Sequence, residues 1–214
     1  MRFFILLVLV FSVACDQDKG AFAKRASFES VWVRYDLELK NHIDSVDYKF
    51  NPPATLADLD LIEKTTSLKL PDEVLELYKM GNGQAEDGFA IFRGMTLLTV
   101  NEIIRNWQQM QTVKPKEMEI SKAGRVKAEF WNIKWLPIAS DAGNNYLCVD
   151  FDPALGGSKG QLIRVFMDAG IREYVAKTPK SYFAEQAAGL SQGILKFDDY
   201  GYGPYTLEEL KNRQ

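Results

Sequence analysis

The sequence predicts a single α+β domain in which a mainly antiparallel sheet is flanked by helices. Helical patterns occupy the first half of the chain, strand patterns follow one another closely from Trp135, and one more helical pattern comes after the strands. Helices and strands that are segregated in this way are typical of the α+β class, whereas parallel α/β folds alternate them. The turns between the strands are short, so neighbouring strands should run antiparallel.

The composition supports one folded domain and excludes several classes of protein. Of the 214 residues, 46% are hydrophobic and 26% are charged, which excludes an intrinsically disordered chain. The net charge is −3, without the excess of basic residues that is typical of duplex-binding domains, so we expect no nucleic-acid partner. One histidine, His42, and two cysteines, Cys15 and Cys148, are too few for a multi-histidine or cysteine-rich zinc site, and no cofactor is expected.

The N-terminus carries an export pattern. Residues 3–11 form an unbroken apolar run behind Arg2, which is too short to span the ~30 Å hydrocarbon core of a bilayer and predicts a signal peptide over residues 1–14. The motif Ser12-Val13-Ala14-Cys15 resembles the lipobox of bacterial lipoproteins, in which the cysteine is diacylated. We therefore expect lipid on this cysteine, a tether over residues 15–26 and attachment to the extracytoplasmic side of a cell membrane. Cleavage without lipidation, which gives a secreted protein, is the alternative.

Four helices are predicted before the main strands, most of them with a recognisable start. An additional helix lies within residues 27–46, ahead of the main domain. In the second and fourth helices a threonine is followed three residues later by an acidic residue, which is the capping-box spacing. In the third, a proline occupies the first helical position before two acidic residues, and a glycine-rich turn ends the helix. The residues concerned are Thr55 with Asp58, Thr99 with Glu102, Pro71 with Asp72 and Glu73, and Gly81-Asn82-Gly83.

Apolar runs between Gly, Asn, Asp and Pro turns predict the strands. Two short strands at 89–92 and 95–98 should flank a turn at Arg93-Gly94, and an irregular segment follows at 113–134. After the strands, Thr178-Pro179 should begin a helix, and the tail 191–214 should contain a short one. The main strands are predicted at Trp135–Ala139, Tyr146–Phe151, Gln161–Phe166 and Arg172–Val175, and the last two helices at Lys180–Ala188 and from Thr206.

The acidic residues Asp141, Asp150 and Asp152 are the most suggestive group for chemistry. Asp150 and Asp152 are two residues apart in a strand pattern, so both carboxylates would lie on one side and could bind a divalent cation or act as an acid/base pair. The alternative is that Asp152-Pro153 opens a turn, with a hydrogen bond accepted by the Asp152 carboxylate. Because this spacing is common by chance, the turn is the favoured interpretation, and we predict neither a catalytic nor a metal-binding residue.

Three further features are better explained by structure than by chemistry. The glycines Gly156 and Gly157 lack the spacing of a phosphate-binding loop and predict a hairpin turn. Cys148 lies in an apolar strand without a nearby histidine, so we expect a buried thiol. Trp131 and Trp135, with Phe130, could form a platform for a ligand or pack in the core.

Two groups of motifs follow one another in a fixed order along residues 53–190. The N-terminal group is Leu70-Pro71-Asp72-Glu73 and Asn82-Gly83. The C-terminal group is Trp135-Leu136-Pro137-Ile138-Ala139-Ser140-Asp141, Leu147-Cys148-Val149-Asp150-Phe151-Asp152-Pro153, Gly156-Gly157 and Gly160-Gln161-Leu162-Ile163. This order resembles the SUKH superfamily, which includes the yeast Smi/Knr cell-wall assembly regulators and many bacterial immunity proteins, and the C-terminal group resembles the bacterial Smi/Knr-like branch.

The resemblance implies a compact α+β fold with one mixed sheet, no catalysis and a role in binding another protein. Asp150, Asp152, Gly156 and Gly157 would then hold a turn. An immunity-type or regulatory protein that docks on a toxin or envelope protein as a monomer is expected, and a regulator of cell-wall assembly is the alternative. The predicted contact residues are aromatic and loop residues, namely Trp131, Trp135, Asn144, Asn145, Tyr146 and the loop from Lys114 to Lys127.

Overall fold

The computed structural model describes residues 26–114, 124–141, 143–197 and 203–211, and it confirms the α+β class. Cys15 and the predicted signal peptide and lipobox lie outside these residues. The helices are α1 (Phe28–Lys40), α2 (Leu56–Thr66), α3 (Asp72–Met80), α4 (Val100–Thr112), α5 (Pro179–Ser191) and α6 (Leu207–Lys211). The strands are β1 (Thr96–Leu97), β2 (Trp135–Ser140), β3 (Asn145–Asp150), β4 (Gln161–Phe166), β5 (Ile171–Ala176), β6 (Leu195–Lys196) and β7 (Tyr205–Thr206).

The main sheet has the strand order β1-β2-β3-β4-β5, and every neighbouring pair is antiparallel. The short connections between β2 and β5 allow each strand to return beside the previous one, which is the reason for this order. The predicted antiparallel pairing is therefore confirmed, and within the described residues the sheet contains no parallel pair, although the resemblance implied a mixed sheet. A separate two-stranded sheet pairs β6 with β7.

The chain divides into two compact units, residues 45–179 and residues 1–44 with 180–214. The second of these contains α1 and nearly all of α5, which pack through aromatic side chains. The ring of Phe183 lies 6.0 Å from that of Phe28 and 5.2 Å from that of Tyr35. Among the described residues, none of the helices combines the length and the apolar character needed to cross a membrane.

The helix starts follow the predicted capping signals with one correction. Thr55 with Asp58 and Thr99 with Glu102 both form complete capping boxes, in which each side chain accepts a backbone N–H of the other residue. Pro71 is the N-cap of α3 and not its first helical residue, because its backbone is still extended (ψ 149°). Gly81 ends this helix for a packing reason, since a Cβ there would lie 2.8 Å from the Cβ of Phe50.

The turn at Arg93-Gly94 forms as predicted, but the strand predicted before it does not. Arg93 and Gly94 both have positive φ (45° and 83°), the conformation of a type I′ turn. The predicted strand at 89–92 is absent because other partners take main-chain groups that a ladder would use. The buried Gln84 amide donates to the carbonyl of Phe89 at 2.8 Å, and the N–H of Phe89 donates to the carbonyl of Asp47 at 2.7 Å.

One face of the main sheet packs against α4 and the segment that precedes β2. The hydrophobic core on this face contains residues from α4, from residues 124–134 and from the three central strands. Phe130, Trp131 and Tyr174 are partly exposed at its margin. The fully or largely buried members are Met110, Val126, Trp135, Tyr146, Cys148, Ile163, Val165 and Met167.

Candidate functional site

Asp150 ends β3 and is fully buried. Its carboxylate accepts the backbone N–H of Asp152 at 2.9 Å and the side-chain amide of Gln161, also at 2.9 Å. Burial raises the pKa of Asp150, because it disfavours the charged form more than these hydrogen bonds favour it. The residue therefore holds the β3–β4 turn from inside the protein, where no substrate reaches it.

Asp152 has a different environment from that of Asp150. Its carboxylate accepts hydrogen bonds from Lys127 Nζ at 2.6 Å and from Asn132 Nδ2 at 3.0 Å. The bond from Lys127 lowers the pKa of Asp152 below its usual value. This arrangement corrects the sequence interpretation in two respects: the turn hydrogen bond is accepted by Asp150 rather than by Asp152, and β3 ends before Asp152, so the two carboxylates do not share one side of a strand.

Asp141 lies at the other end of the β2–β3 ladder. The register pairs Ser140 with Tyr146 and Trp135 with Asp150, which places Asp141 and Asp150 at opposite ends. The Asp141 carboxylate instead accepts hydrogen bonds within the β2–β3 turn, from the N–H of Gly143 and the side chain of Asn145. Across the described ranges, no group of three or more His, Cys, Asp or Glu residues is placed to hold a metal ion.

The glycine-rich turn is tied to residue 125 by a buried glutamine. The Gln161 amide donates to the carbonyl of Arg125 at 2.8 Å and accepts the N–H of Ser158 at 3.0 Å. Gly156 has a positive φ of 90°. At Gly157 any Cβ would lie 2.5 Å from the Arg125 carbonyl oxygen, so only glycine fits this close approach. Sequence reasoning missed Gln161, whose only signal was a polar residue at an inward-facing strand position.

The predicted contact residues differ widely in accessibility. Trp135 is 0% exposed and Tyr146 is 7% exposed, so the structure removes both side chains from any contact surface. They face inward because they alternate with the residues of the opposite sheet face and meet the segment that covers them. Asn144 is exposed and Asn145 partly exposed at the β2–β3 turn. In the loop from Lys114 to Lys127, residues 115–123 lie outside the described residues.

Trp131 is the predicted contact residue with the most favourable position. Its ring is half-buried and packs edge-on against Trp135 and Tyr146, with centroids 6.0 and 6.2 Å apart. Such edge-to-face packing fixes the orientation of an aromatic ring. Trp131 is therefore rigidly held by the core while part of its surface stays accessible.

A groove runs between the C-terminal end of α4 and residues 129–133. It has a volume of about 480 Å³, which is within the range of small-ligand and side-chain sites. The walls are mainly apolar and aromatic, with two polar side chains among them. The lining residues are Met110, Gln111, Val113, Glu129, Phe130, Trp131 and Ile133.

One polar group beside this groove has no partner within the part of the chain that the structure describes. The indole Nε1 of Trp131 is buried and has no hydrogen-bond acceptor. Buried polar groups are usually satisfied in native proteins, so such a donor beside a groove is unusual. The Glu129 carboxylate is half-buried, and its charge interacts with the ammonium of Lys127.

Residues 129–133 are held in place through their main chain. The buried guanidinium of Arg172 donates to the carbonyl oxygens of Glu129 at 3.0 Å and Phe130 at 2.6 Å. The indole of Trp107 donates to the carbonyl of Ile133 at 3.0 Å. Sequence reasoning missed both residues. The available signal was an arginine at an inward-facing position of β5.

Comparisons with known proteins place the chain in a family. Residues 53–185, more than half of the chain, match the model of the SMI1 / KNR4 family (SUKH-1). The chain is 27% identical over 175 residues to the cell wall biosynthesis/cell cycle regulator smi1 of Schizosaccharomyces pombe, which covers 71% of this chain and 35% of that protein. It is 23% identical over 226 residues to the glucan synthesis regulatory protein of Neurospora crassa, covering 86% of this chain and 41% of that protein.

The family model matches most of this chain, and this shows the family to which the chain belongs. The two curated relatives are much longer proteins. The chain spans less than half of the length of either curated relative. The matched region contains the capping boxes of α2 and α4, the five-stranded sheet and the groove beside Trp131. The chain belongs to the SMI1/KNR4 (SUKH-1) family.

Proposed function

We propose that this protein is a non-enzymatic regulatory protein of the cell envelope that acts by docking on a partner protein through the groove beside Trp131. The position of Trp131 carries the proposal, because its ring is fixed by the core and still partly exposed. Tryptophan is one of the three residue types that are enriched among binding hot spots. The printed names of both relatives describe regulators, which supports a regulatory and non-catalytic role.

The environments of the carboxylates also favour binding over catalysis. Asp150 is buried and hydrogen-bonded, Asp152 is paired with Lys127, and Asp141 accepts hydrogen bonds within its own turn. The three carboxylates therefore have separate structural roles. Calorimetric titration with Ca²⁺, Mg²⁺ and Mn²⁺ tests the enzyme alternative, and tight stoichiometric binding that is lost in Asp150→Asn would favour it.

The partner is proposed to be an envelope protein, and a toxin is the second candidate. The relatives named for cell-wall and glucan regulation favour the former, whereas the resemblance to immunity proteins motivates the latter. The two candidates predict different results when the mature domain is used to capture proteins from envelope extracts. Recovery of a wall-synthesis component supports regulation, and recovery of a secreted toxin that the domain inhibits supports immunity.

Membrane attachment through Cys15 is part of the proposal. Two acyl chains suffice for stable anchoring, and a tether raises the effective concentration of the domain near a membrane partner. Mass spectrometry of the N-terminal peptide from membrane-extracted protein tests this step. A diacylated cysteine is the expected result, and an N-terminal peptide without an acyl adduct would refute anchoring while leaving the docking proposal intact.

The docking test compares two variants that remove exposed apolar surface. Trp131→Ala removes the ring at the groove, whereas Leu155→Ala removes a fully exposed side chain that does not line it. We expect partner capture to fall at least tenfold in Trp131→Ala and to remain unchanged in Leu155→Ala. Circular dichroism confirms that both variants are folded. Equal capture by both variants would rule out the groove as the docking surface.

A further inference from the structure

We propose that the groove binds a short extended peptide segment of the partner in which a basic side chain, Arg or Lys, stands next to an apolar one. This inference rests on the docking function proposed above and adds the chemistry of the ligand. The shape of the groove, its charge and an unpaired indole N–H all favour such a ligand.

The size and lining of the groove suit an apolar side chain and the chain that carries it. A volume of about 480 Å³ admits a few residues of an extended segment. Met110, Val113, Phe130 and Ile133 provide apolar contacts, and Val113 and Ile133 are 38% and 50% exposed. Covering these side chains removes apolar surface from water, which favours binding.

The charge of the groove selects a cation. Of the seven lining residues, Glu129 is the one that carries a charge. The neighbouring ammonium of Lys127 interacts with it but is itself paired with Asp152 at 2.6 Å. A ligand that covered this half-buried carboxylate without a counter-charge would remove water from it at a cost. A guanidinium or ammonium group of the ligand replaces the lost water by an ion pair with the Glu129 carboxylate. Such a cation also interacts favourably with the face of an adjacent indole such as that of Trp131.

The unpaired indole N–H points to a ligand that offers carbonyl oxygens. Trp131 Nε1 has no acceptor in the free protein as described. An extended peptide presents a main-chain carbonyl at every residue, so such a ligand brings hydrogen-bond acceptors to the groove wall that contains this donor. Acidic ligands are disfavoured by Glu129 and by the net charge of −3.

The test selects random 12-residue peptides displayed on phage against the whole chain and measures the affinity of a synthesised winner by fluorescence anisotropy. We expect enrichment of Arg or Lys beside an apolar residue. We also expect the indole ¹⁵N–¹H resonance of Trp131, assigned by its loss in Trp131→Phe, to shift downfield on binding. Glu129→Gln should weaken binding about tenfold, which corresponds to ~1.4 kcal/mol. Glu173→Gln, which removes an exposed carboxylate of β5 outside the groove, should leave the affinity unchanged.

The outcomes separate this inference from the docking proposal. Winners without basic residues, or equal affinity for the wild type and Glu129→Gln, overturn the inference even where the Trp131 resonance shifts and partner capture still depends on Trp131. Winners that bind while the Trp131 resonance stays in place also overturn it. Loss of Trp131 dependence in partner capture is the result that overturns the docking proposal itself, and it is measured without any peptide.

Discussion

Asp150→Asn should destabilise the fold by removing a hydrogen bond from the centre of the β3–β4 turn. Asparagine keeps one oxygen, which can still accept the N–H of Asp152, but its amide replaces the oxygen that accepts the Gln161 side chain at 2.9 Å. Two N–H donors then face each other, and the Gln161 donor is left unsatisfied in a buried site. A lost hydrogen bond to a charged acceptor costs about 1.5–3 kcal/mol, and relief of the buried charge offsets part of it, so we expect about 2 kcal/mol.

The assay is thermal unfolding followed by circular dichroism. For a protein of this size, about 2 kcal/mol corresponds to a decrease of roughly 4–8 °C in melting temperature. The matched control is Asp87→Asn, which breaks an exposed ion pair with Lys49 that solvent screens, so its melting temperature should stay at the wild-type value. An Asp150→Asn melting temperature equal to that of the control would show that the buried network does not stabilise the fold.

The same variant has an expected pH dependence. The pKa of Asp150 is raised in the folded state, so between the usual aspartate value and the raised value the folded state binds more protons than the unfolded state. The stability that this carboxyl contributes is fully present below pH 3.8, its usual pKa, and decreases as the pH rises through the folded pKa. The stability difference between wild type and Asp150→Asn should therefore be larger at pH 3.5 than at pH 7. A difference that grows with rising pH would refute the assigned direction.

Three other changes test the packing and capping described above. Gly157→Ala should lower the melting temperature by several degrees, because its Cβ meets the Arg125 carbonyl at 2.5 Å; a melting temperature equal to that of the wild type would contradict this close approach. Cys148 should react with a thiol reagent only after denaturant is added, since it is fully buried and burial raises the pKa of its thiol; rapid labelling of native protein would contradict this. Thr99→Ala should lower the free energy of unfolding, measured in urea, by about 1 kcal/mol, because it removes the N-cap of α4. A loss no larger than that in a variant of an exposed threonine that caps no helix would contradict this role.

The elements of the fold could be predicted where the signal is local. The capping boxes at Thr55 and Thr99, the turn at Arg93-Gly94 and the four main strands depend on neighbouring residues, and each forms where the pattern indicates. The strand predicted at 89–92 is absent in part because the N–H of Phe89 donates to the carbonyl of Asp47, which is distant along the chain. Periodicity describes one segment at a time and carries no information on such partners.

The candidate site was harder to predict for the same reason. Asp150 and Asp152 look alike in sequence, but one is buried against Gln161 and the other is paired with Lys127, and only tertiary contacts separate them. Trp131 and Trp135 are both tryptophans beside a strand, and the position of the covering segment determines that Trp135 is inaccessible. A sequence gives the residue types in a site, whereas their burial follows from long-range packing.

Arg172 holds one wall of the groove through main-chain carbonyl oxygens, and this leaves the Glu129 side chain of that wall open to substitution. Every residue has a main-chain carbonyl, so the bonds to residues 129 and 130 persist whatever side chains occupy those positions. A mutation of Glu129 therefore alters what the groove recognises without breaking this attachment, whereas the side chain of Phe130 also packs against the core. An engineer could therefore exchange the Glu129 side chain to redirect binding while the attachment of this segment to Arg172 stays intact.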